Sequence, residues 1–168
     1  MSEVVTVIIP LFNGKQTILR CLESLKSQTY KNIEVIIVND GSTDCSAELV
    51  KKYIQDNKLN KWQLHTISNG GVAKARNFGI TMATGEYLCF VDADDYVDIG
   101  YVEKMLSAIQ SSRSDLCISG YKRVSYRNGK EESKQDCTLS DCVYSLETSE
   151  KIDKVLFVNG FMHPCWGK

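Results

Sequence analysis

Four carboxylates, Asp92, Asp94, Asp95 and Asp98, fall within seven residues of this 168-residue chain, directly after the apolar run Tyr87-Leu88-Cys89-Phe90-Val91. Two carboxylates held ~5 Å apart repel by about 3 kcal/mol at an effective dielectric of about 20. The usual offset for such repulsion is a bound cation with oxygen ligands. If that cation also holds a diphosphate, the strand end becomes a nucleotide-handling site. The residue types alone leave a second reading, a solvated acidic turn in which Asp95 or Asp98 caps the next helix. An EF-hand loop is excluded, because its sixth position needs glycine for the turn and Val97 stands there.

The elements that must present this cluster alternate between strand and helix. Val4 to Ile9 is a continuous β-branched run, the mark of a strand buried on both faces. Pro10 is expected to end it, since proline cannot donate to a ladder. Ile18, Leu22 and Leu25 follow helical spacing, and Ile33 to Val38 repeats the buried-strand signature. Leu49, Val50, Tyr53 and Ile54 mark a second helix, Trp62 to Ile67 a weaker strand, and Val72 to Ala83 a helix after Gly70-Gly71. Tyr87 to Val91 is the next strand, Val102 to Ile109 a helix, and Leu116 to Ser119 a further strand. Such alternation predicts an α/β fold with a mostly parallel central sheet between helices. Ligands of such sheets bind beyond the carboxyl ends of the strands. Pro10-Leu11-Phe12-Asn13, Asn39-Asp40-Gly41-Ser42 and Asp92-Ala93-Asp94-Asp95 should therefore share one edge. After about residue 120 the pattern changes. Tyr121–Tyr126 and Glu131–Leu139 flank Asn128-Gly129, a hairpin signal, and Glu147–Val158 reads as a short helix.

Composition narrows the function classes. Lys plus Arg is 20 against 21 Asp plus Glu, a net charge of -1 with no basic stripe, which argues against a nucleic-acid partner. None of the seven cysteines forms a CxxC pair or a zinc spacing. Cys21 and Cys89 read as small buried hydrophobes. The absence of a signal-peptide pattern suggests the cytoplasm. No run of 18 apolar residues would span a membrane. Peripheral association at its inner face stays open.

Val7-Ile8-Ile9-Pro10-Leu11-Phe12-Asn13, Val38-Asn39-Asp40-Gly41-Ser42-Thr43-Asp44, Ala75-Arg76-Asn77-Phe78-Gly79 and Phe90-Val91-Asp92-Ala93-Asp94-Asp95 stand in this order along the chain. Together they resemble the successive signatures of glycosyltransferase family 2, over about residues 4 to 120. The resemblance implies the GT-A fold, a Rossmann-like αβα nucleotide-binding layer, with residues 1–120 binding the nucleotide-sugar donor and 121–168 beginning a partial acceptor-side subregion. It implies a sugar transferred with inversion from a nucleotide-sugar donor to a saccharide or lipid-linked acceptor, as in cell-surface polysaccharide synthesis, with Mn²⁺ or Mg²⁺ as cofactor. By this resemblance Asp94 ligates the metal, and Asp92 faces the ribose and the metal. Phe12 stacks on the base where relatives commonly carry Tyr, keeping the stacking and losing the hydroxyl. Asp40 accepts the uracil N–H, which favours a UDP-sugar. Its alternative is an N-cap or Asx turn, for which Asp44 is better placed. Pro10, Leu11, Asn13, Asn69 and Ala93 complete the donor contacts. Arg76 reaches the diphosphate, or else pairs with one of the aspartates. Lys74 is expected to be solvated and His65 structural.

Inverting transfer needs a general base for the acceptor hydroxyl. In the family this is a carboxylate that follows a segment resembling Trp166-Gly167-Lys168. The base is therefore expected beyond Lys168, and no catalytic residue is assigned. Competing readings are a non-catalytic nucleotide-sugar-binding module and a DxD phosphohydrolase. The second fits poorly, because Tyr96 replaces the usual Thr or Val and the motif is not on the first strand.

Overall fold

A computed structural model describes residues 3–127 and 130–137. In chain order the elements are β1 (Val5–Leu11), α1 (Ile18–Lys26), β2 (Ile33–Asp40), α2 (Ser46–Asp56), β3 (Trp62–Ile67), α3 (Val72–Met82), β4 (Tyr87–Phe90), α4 (Tyr101–Ser112), β5 (Tyr121–Arg127) and β6 (Lys130–Cys137). The first four strands form one sheet in the order β3-β2-β1-β4, every pair parallel. Parallel strands joined by helices must have helices on their faces, so the central strands need apolar residues on both sides. Val7, Ile8 and Ile9 of β1 and Val35 to Val38 of β2 are all fully buried.

Helix α3 covers the Ile8 face of the sheet. A Cβ at Gly79 would come within 2.4 Å of Ile8 Cγ2, so glycine is what lets the helix approach. Beneath it Ile36, Val38 and Ala75 form a core flanked by Ile67, Phe78 and Ala83. His65 packs edge-on against Phe78 at 5.5 Å and pairs with Gln63, the structural role expected of it. Helix α1 buries Ile18, Leu22 and Leu25, the residues whose spacing marked it, together with Cys21. Among the described residues no helix is long and apolar enough to cross a membrane.

Packing divides the chain into two units, with the division falling inside α4 after Leu106. Within the second, β5 and β6 pair antiparallel with an irregularity at Ser125/Tyr126, the hairpin expected from the sequence. Asn128-Gly129 and the helix expected over Glu147–Val158 lie outside the described residues.

Two sequence expectations are corrected. Pro10 does not end β1, which continues to Leu11 with Pro10 opposite Val38. The carbonyls of Val4 and Ile8 face β4, accepting from Tyr87 and Val91. By the two-residue alternation, Pro10 faces the same side, beyond the point where β4 stops at Phe90. Its missing N–H therefore costs no ladder bond. Leu116–Ser119 is not a strand. Leu116 and Ile118 are exposed there, and no described strand pairs with this stretch.

At the opposite end of the sheet from the polar loops, Glu34 is only 7% exposed. Its Oε2 accepts from the Thr6 hydroxyl (2.6 Å) and the Thr84 amide (3.0 Å), and its Oε1 from the Thr84 hydroxyl (3.0 Å). Thr6 Oγ1 in turn accepts from the Gly85 amide at 3.0 Å. The network joins β1, β2 and the turn before β4. Burial opposes the charge on Glu34, but the bonds from Thr6 and Thr84, with Lys61 nearby, hold its carboxyl below the ordinary glutamate value of 4.5. A depressed folded pKa contributes stability that is fully present above the unfolded value and is lost as pH falls through the folded one. Glu34→Gln should lower stability at pH 7 by about 1–2 kcal/mol. The deficit should shrink as pH falls below 4.5. Urea unfolding of both forms across this range checks it, and a deficit independent of pH would contradict it.

Candidate functional site

Parallel pairing delivers the loops after all four strands to one edge, where they are tied to one another. Asn13 has a φ of 50°, a left-handed conformation that asparagine tolerates better than most residues. Its Oδ1 accepts from the Thr43 amide (2.8 Å), the Asp44 amide (3.3 Å) and the Thr43 hydroxyl (3.3 Å), while its own N–H donates to Ser42 Oγ (3.0 Å). Asp44 accepts from the Lys15 amide and, just ahead of α2, from the Ser46 amide, both at 3.0 Å. Asn13 thus staples the β1 loop to the β2 loop. The staple leaves the neighbouring Phe12 52% exposed at the edge, not in the core. Leu11 is fully buried, main chain included.

Asp40 is 3% exposed. Its Oδ1 accepts from the Gly70 amide and its Oδ2 from the Gly71 amide, both at 2.8 Å. Neither an N-cap of α2 nor an Asx turn, this is a latch from the end of β2 to the loop that opens α3. Gly41 has φ 69°, and a Cβ there would lie 2.9 Å from the Asn69 amide nitrogen. The two loops therefore meet backbone to backbone, with Asn69 exposed above. Lys74 is exposed, as expected, but its side chain is also engaged. Its ammonium donates to the carbonyl (3.1 Å) and hydroxyl (3.0 Å) of Ser68, folding the side chain over Gly70.

Arg76 projects from α3 to the acidic loop, where its guanidinium meets Asp92 Oδ1 at 2.5 Å. Its side chain is 13% exposed against 47% for Asp92, so the pair is partly desolvated. The Arg76 guanidinium carbon also lies 6.0 Å from the Phe90 ring centre. Asp94 and Asp95 remain exposed. Partial burial, together with the Asp94 and Asp92 carboxylates, pushes the Asp95 carboxyl above its ordinary value. Burial, then the charges of Asp95, Asp92 and Asp94, pushes the Cys21 thiol up to about 12, so it stays protonated and donates to the Asp92 carbonyl at 3.6 Å. Gly14, which would place a Cβ 3.7 Å from that of Ala93, sets the β1 loop against the acidic loop.

The donor set suits one kind of cation. Among the described residues no group of three His, Cys, Asp or Glu side chains could hold a metal by itself. Mg²⁺-like ions associated with nucleotides instead use one or two carboxylates plus phosphate oxygens and water. Asp92 and Asp94 fit that requirement. Sequence reasoning missed Arg20, Ser24 and Gln28 of and just after α1, which grip the acidic loop from below. Their spacing of four was the available signal, but polar residues on a helix opposite its apolar stripe read as a solvated face.

Residues 6–165 match the family model described as Glycosyl transferase family 2. The chain belongs to this family. Glycosyltransferase GlyG of Streptococcus pneumoniae serotype 4 (strain ATCC BAA-334 / TIGR4) is 38% identical over 130 residues, covering 77% of this chain and 42% of the relative. The chain thus spans less than half the length of that relative. A crystal structure of S. aureus TarS 1–349 in complex with UDP-GlcNAc superposes with a TM-score of 0.60 at 36% identity, covering 66% of this chain and 32% of that one. Mannosyltransferase PcManGT from Pyrobaculum calidifontis, in complex with GDP-Man and Mn²⁺, superposes with a TM-score of 0.58 at 26% identity, covering 69% and 34%. These likenesses bear out the family and the GT-A, mostly parallel α/β fold that the sequence motifs implied.

The Asp40 latch generates a prediction that needs no ligand. Asp40→Asn offers one acceptor oxygen where two amides need one each. It should cost about 1–3 kcal/mol of stability, the penalty of one buried unsatisfied amide. Urea unfolding checks this, and a change within about 0.5 kcal/mol, ordinary for an unconstrained surface site, would show that the latch does not hold the loop.

Proposed function

We propose that this edge binds a UDP-sugar and a divalent cation, and that the chain contributes the donor side of an inverting transfer to a hydroxyl of a saccharide or lipid-linked acceptor. The observation that carries the reading is the convergence on one edge of exposed Phe12, the Asp40 latch, the Arg76–Asp92 pair and exposed Asp94. Phe12 stacks on the base. Each Asp40 oxygen keeps a second lone pair, so a uracil N–H can be accepted without displacing Gly70 or Gly71. Pro10, Asn69 and Ala93 line the nucleoside, the buried Leu11 supports that wall without touching the ligand, and Asn13 acts through the loop that it staples.

Mn²⁺ or Mg²⁺, held by Asp94 and Asp92 with the diphosphate, would supply positive charge beside the leaving group. Arg76, now paired with Asp92, is placed to bond the diphosphate. Transfer forms a bond from the acceptor oxygen to the anomeric carbon as the bond from that carbon to the diphosphate oxygen breaks. The acceptor proton passes to a base that we assign to no described residue. Residues 1–120 are assigned to the donor and 121–168 to the acceptor side. A cytoplasmic site at the inner face of the membrane, where lipid-linked acceptors are presented, fits this reading.

Two titrations test it. UDP should bind more tightly than GDP by calorimetry in the presence of Mn²⁺, since a purine N–H and amino group meet no second acceptor in this assignment. Equal or tighter binding of GDP would overturn the base assignment. Asp94→Asn should weaken Mn²⁺-dependent UDP binding by about tenfold or more and leave uridine binding unchanged. Full retention of the Mn²⁺ effect would remove Asp94 from the metal site.

A further inference from the structure

Within the acidic loop between β4 and α4, Asp95 N–H donates to the Asp92 carbonyl at 3.0 Å, and Tyr101 N–H to the Asp98 carbonyl at 2.9 Å. The loop is also held from outside, along one flank of α1 and its C-terminal extension. Arg20 donates to the Asp94 carbonyl at 2.9 Å and Cys21 to the Asp92 carbonyl at 3.6 Å. Ser24 Oγ accepts from the Val97 amide at 3.2 Å, while its own hydroxyl donates to the Cys21 carbonyl at 2.7 Å. Gln28 Nε2 donates to the Asp98 carbonyl at 2.8 Å and the Ser24 carbonyl at 3.0 Å, and its Oε1 accepts from the Val102 amide at 2.9 Å.

Two features of this grip matter. All of these contacts to the loop go to main-chain atoms, so the carboxylates are located without being consumed. Gln28 is 1% exposed with both ends of its amide bonded, and it supplies the acceptor for an early α4 amide that the helix cannot satisfy internally. Residues 20, 24 and 28 share one flank because side chains four apart on a helix are neighbours.

We propose that Ser24 and Gln28 are positioning residues for cation-dependent donor binding: they fix the register of the acidic loop, and so the places from which Asp92 and Asp94 reach a cation shared with the donor diphosphate. This rests on the donor-site reading above. Both side chains are neutral, so removing them changes geometry and not local charge. Arg20 would change both at once and is therefore the poorer test. Small divalent cations of the Mg²⁺ type demand near-ideal octahedral geometry, so a loop free to shift loses cation-dependent affinity before it loses its fold.

The test compares UDP and uridine binding to the whole chain, with and without Mn²⁺, for wild type, Ser24→Ala, Ser24→Thr and Gln28→Met. In Ser24→Ala and Gln28→Met the gain in UDP affinity conferred by Mn²⁺ should fall by about fivefold or more, equivalent to about 1 kcal/mol. Uridine binding should hold within about twofold, since the stacking partner Phe12 and the base acceptor Asp40 lie outside the acidic loop. Ser24→Thr, which keeps the hydroxyl, should restore the gain. In the metal-free protein the Val97 amide should exchange faster in Ser24→Ala than in wild type or Ser24→Thr. A purely structural role would lower the unfolding temperature and leave the Mn²⁺ gain intact, and that result overturns the proposal. Should Gln28→Met fail to fold, the Ser24 pair decides alone. A wild-type chain that binds UDP with no Mn²⁺ gain overturns the metal reading, and this inference with it.

Discussion

Carboxylates crowded at the end of β4 repel each other, and the site's architecture follows from containing that repulsion without cancelling it. Arg76 neutralises one charge through Asp92, from a helix that Gly79 allows to sit close on the sheet. Arg20 brings a second cation to the loop through the Asp94 carbonyl. Its guanidinium also lies 4.6 Å from the Tyr96 ring centre, which fixes it against an apolar face. Two cations against three adjacent carboxylates leave a negative surplus at an exposed rim. Burial first, and then the neighbouring Asp94 and Asp92 charges, raise the Asp95 carboxyl. On the donor-site reading proposed above, a divalent ion would offset that surplus, with diphosphate and water oxygens completing its ligands.

The loops at this edge are not independent parts. Asn13 joins the loop after β1 to the loop after β2, and Asp40 joins the end of β2 to the loop after β3. The flank of α1 joins the loop after β4 to the segment that follows β1. Each tie uses a side chain on one loop and main chain on another. The surface groups, Phe12, Asn69 and Asp94, are thereby left to face outward on a frame that is already hydrogen-bonded. Preorganisation of this kind reduces the ordering cost of binding. Its consequence for substitutions is that stability and ligand affinity will change together at Asn13 and Asp40, and separately at Asp94.

Much of the frame was legible in the sequence. The unbroken β-branched run Val4–Ile9, and Ile33–Val38 with Glu34 as its single polar residue, suit little besides strands buried on both faces, and a parallel sheet then dictates which loops share an edge. What was not legible depended on partners remote in the chain. Pro10 reads as a strand end until it is known that β4 stops short of it. Leu116–Ser119 has strand composition, yet composition cannot supply a neighbouring strand. The residue type of Asp40 suggested a ligand contact or a local cap. Its latch to Gly70 and Gly71 requires knowing that two loops about thirty residues apart meet. Ser24 and Gln28 are ordinary polar residues on a helical face, and only the loop packed against them gives them a role.

The central claim is that a divalent ion and a nucleoside diphosphate are held together at the Asp92–Asp94 rim. Paramagnetic broadening of backbone amide signals by Mn²⁺, recorded with and without UDP, tests it most directly. The account predicts that, with UDP present, broadening centres on residues 92–97 and reaches the Gly70 and Gly71 amides only weakly, while the Glu34 and Thr84 amides at the far end of the sheet stay sharp. Broadening that is unchanged by UDP, or that centres away from Asp92 and Asp94, would contradict it.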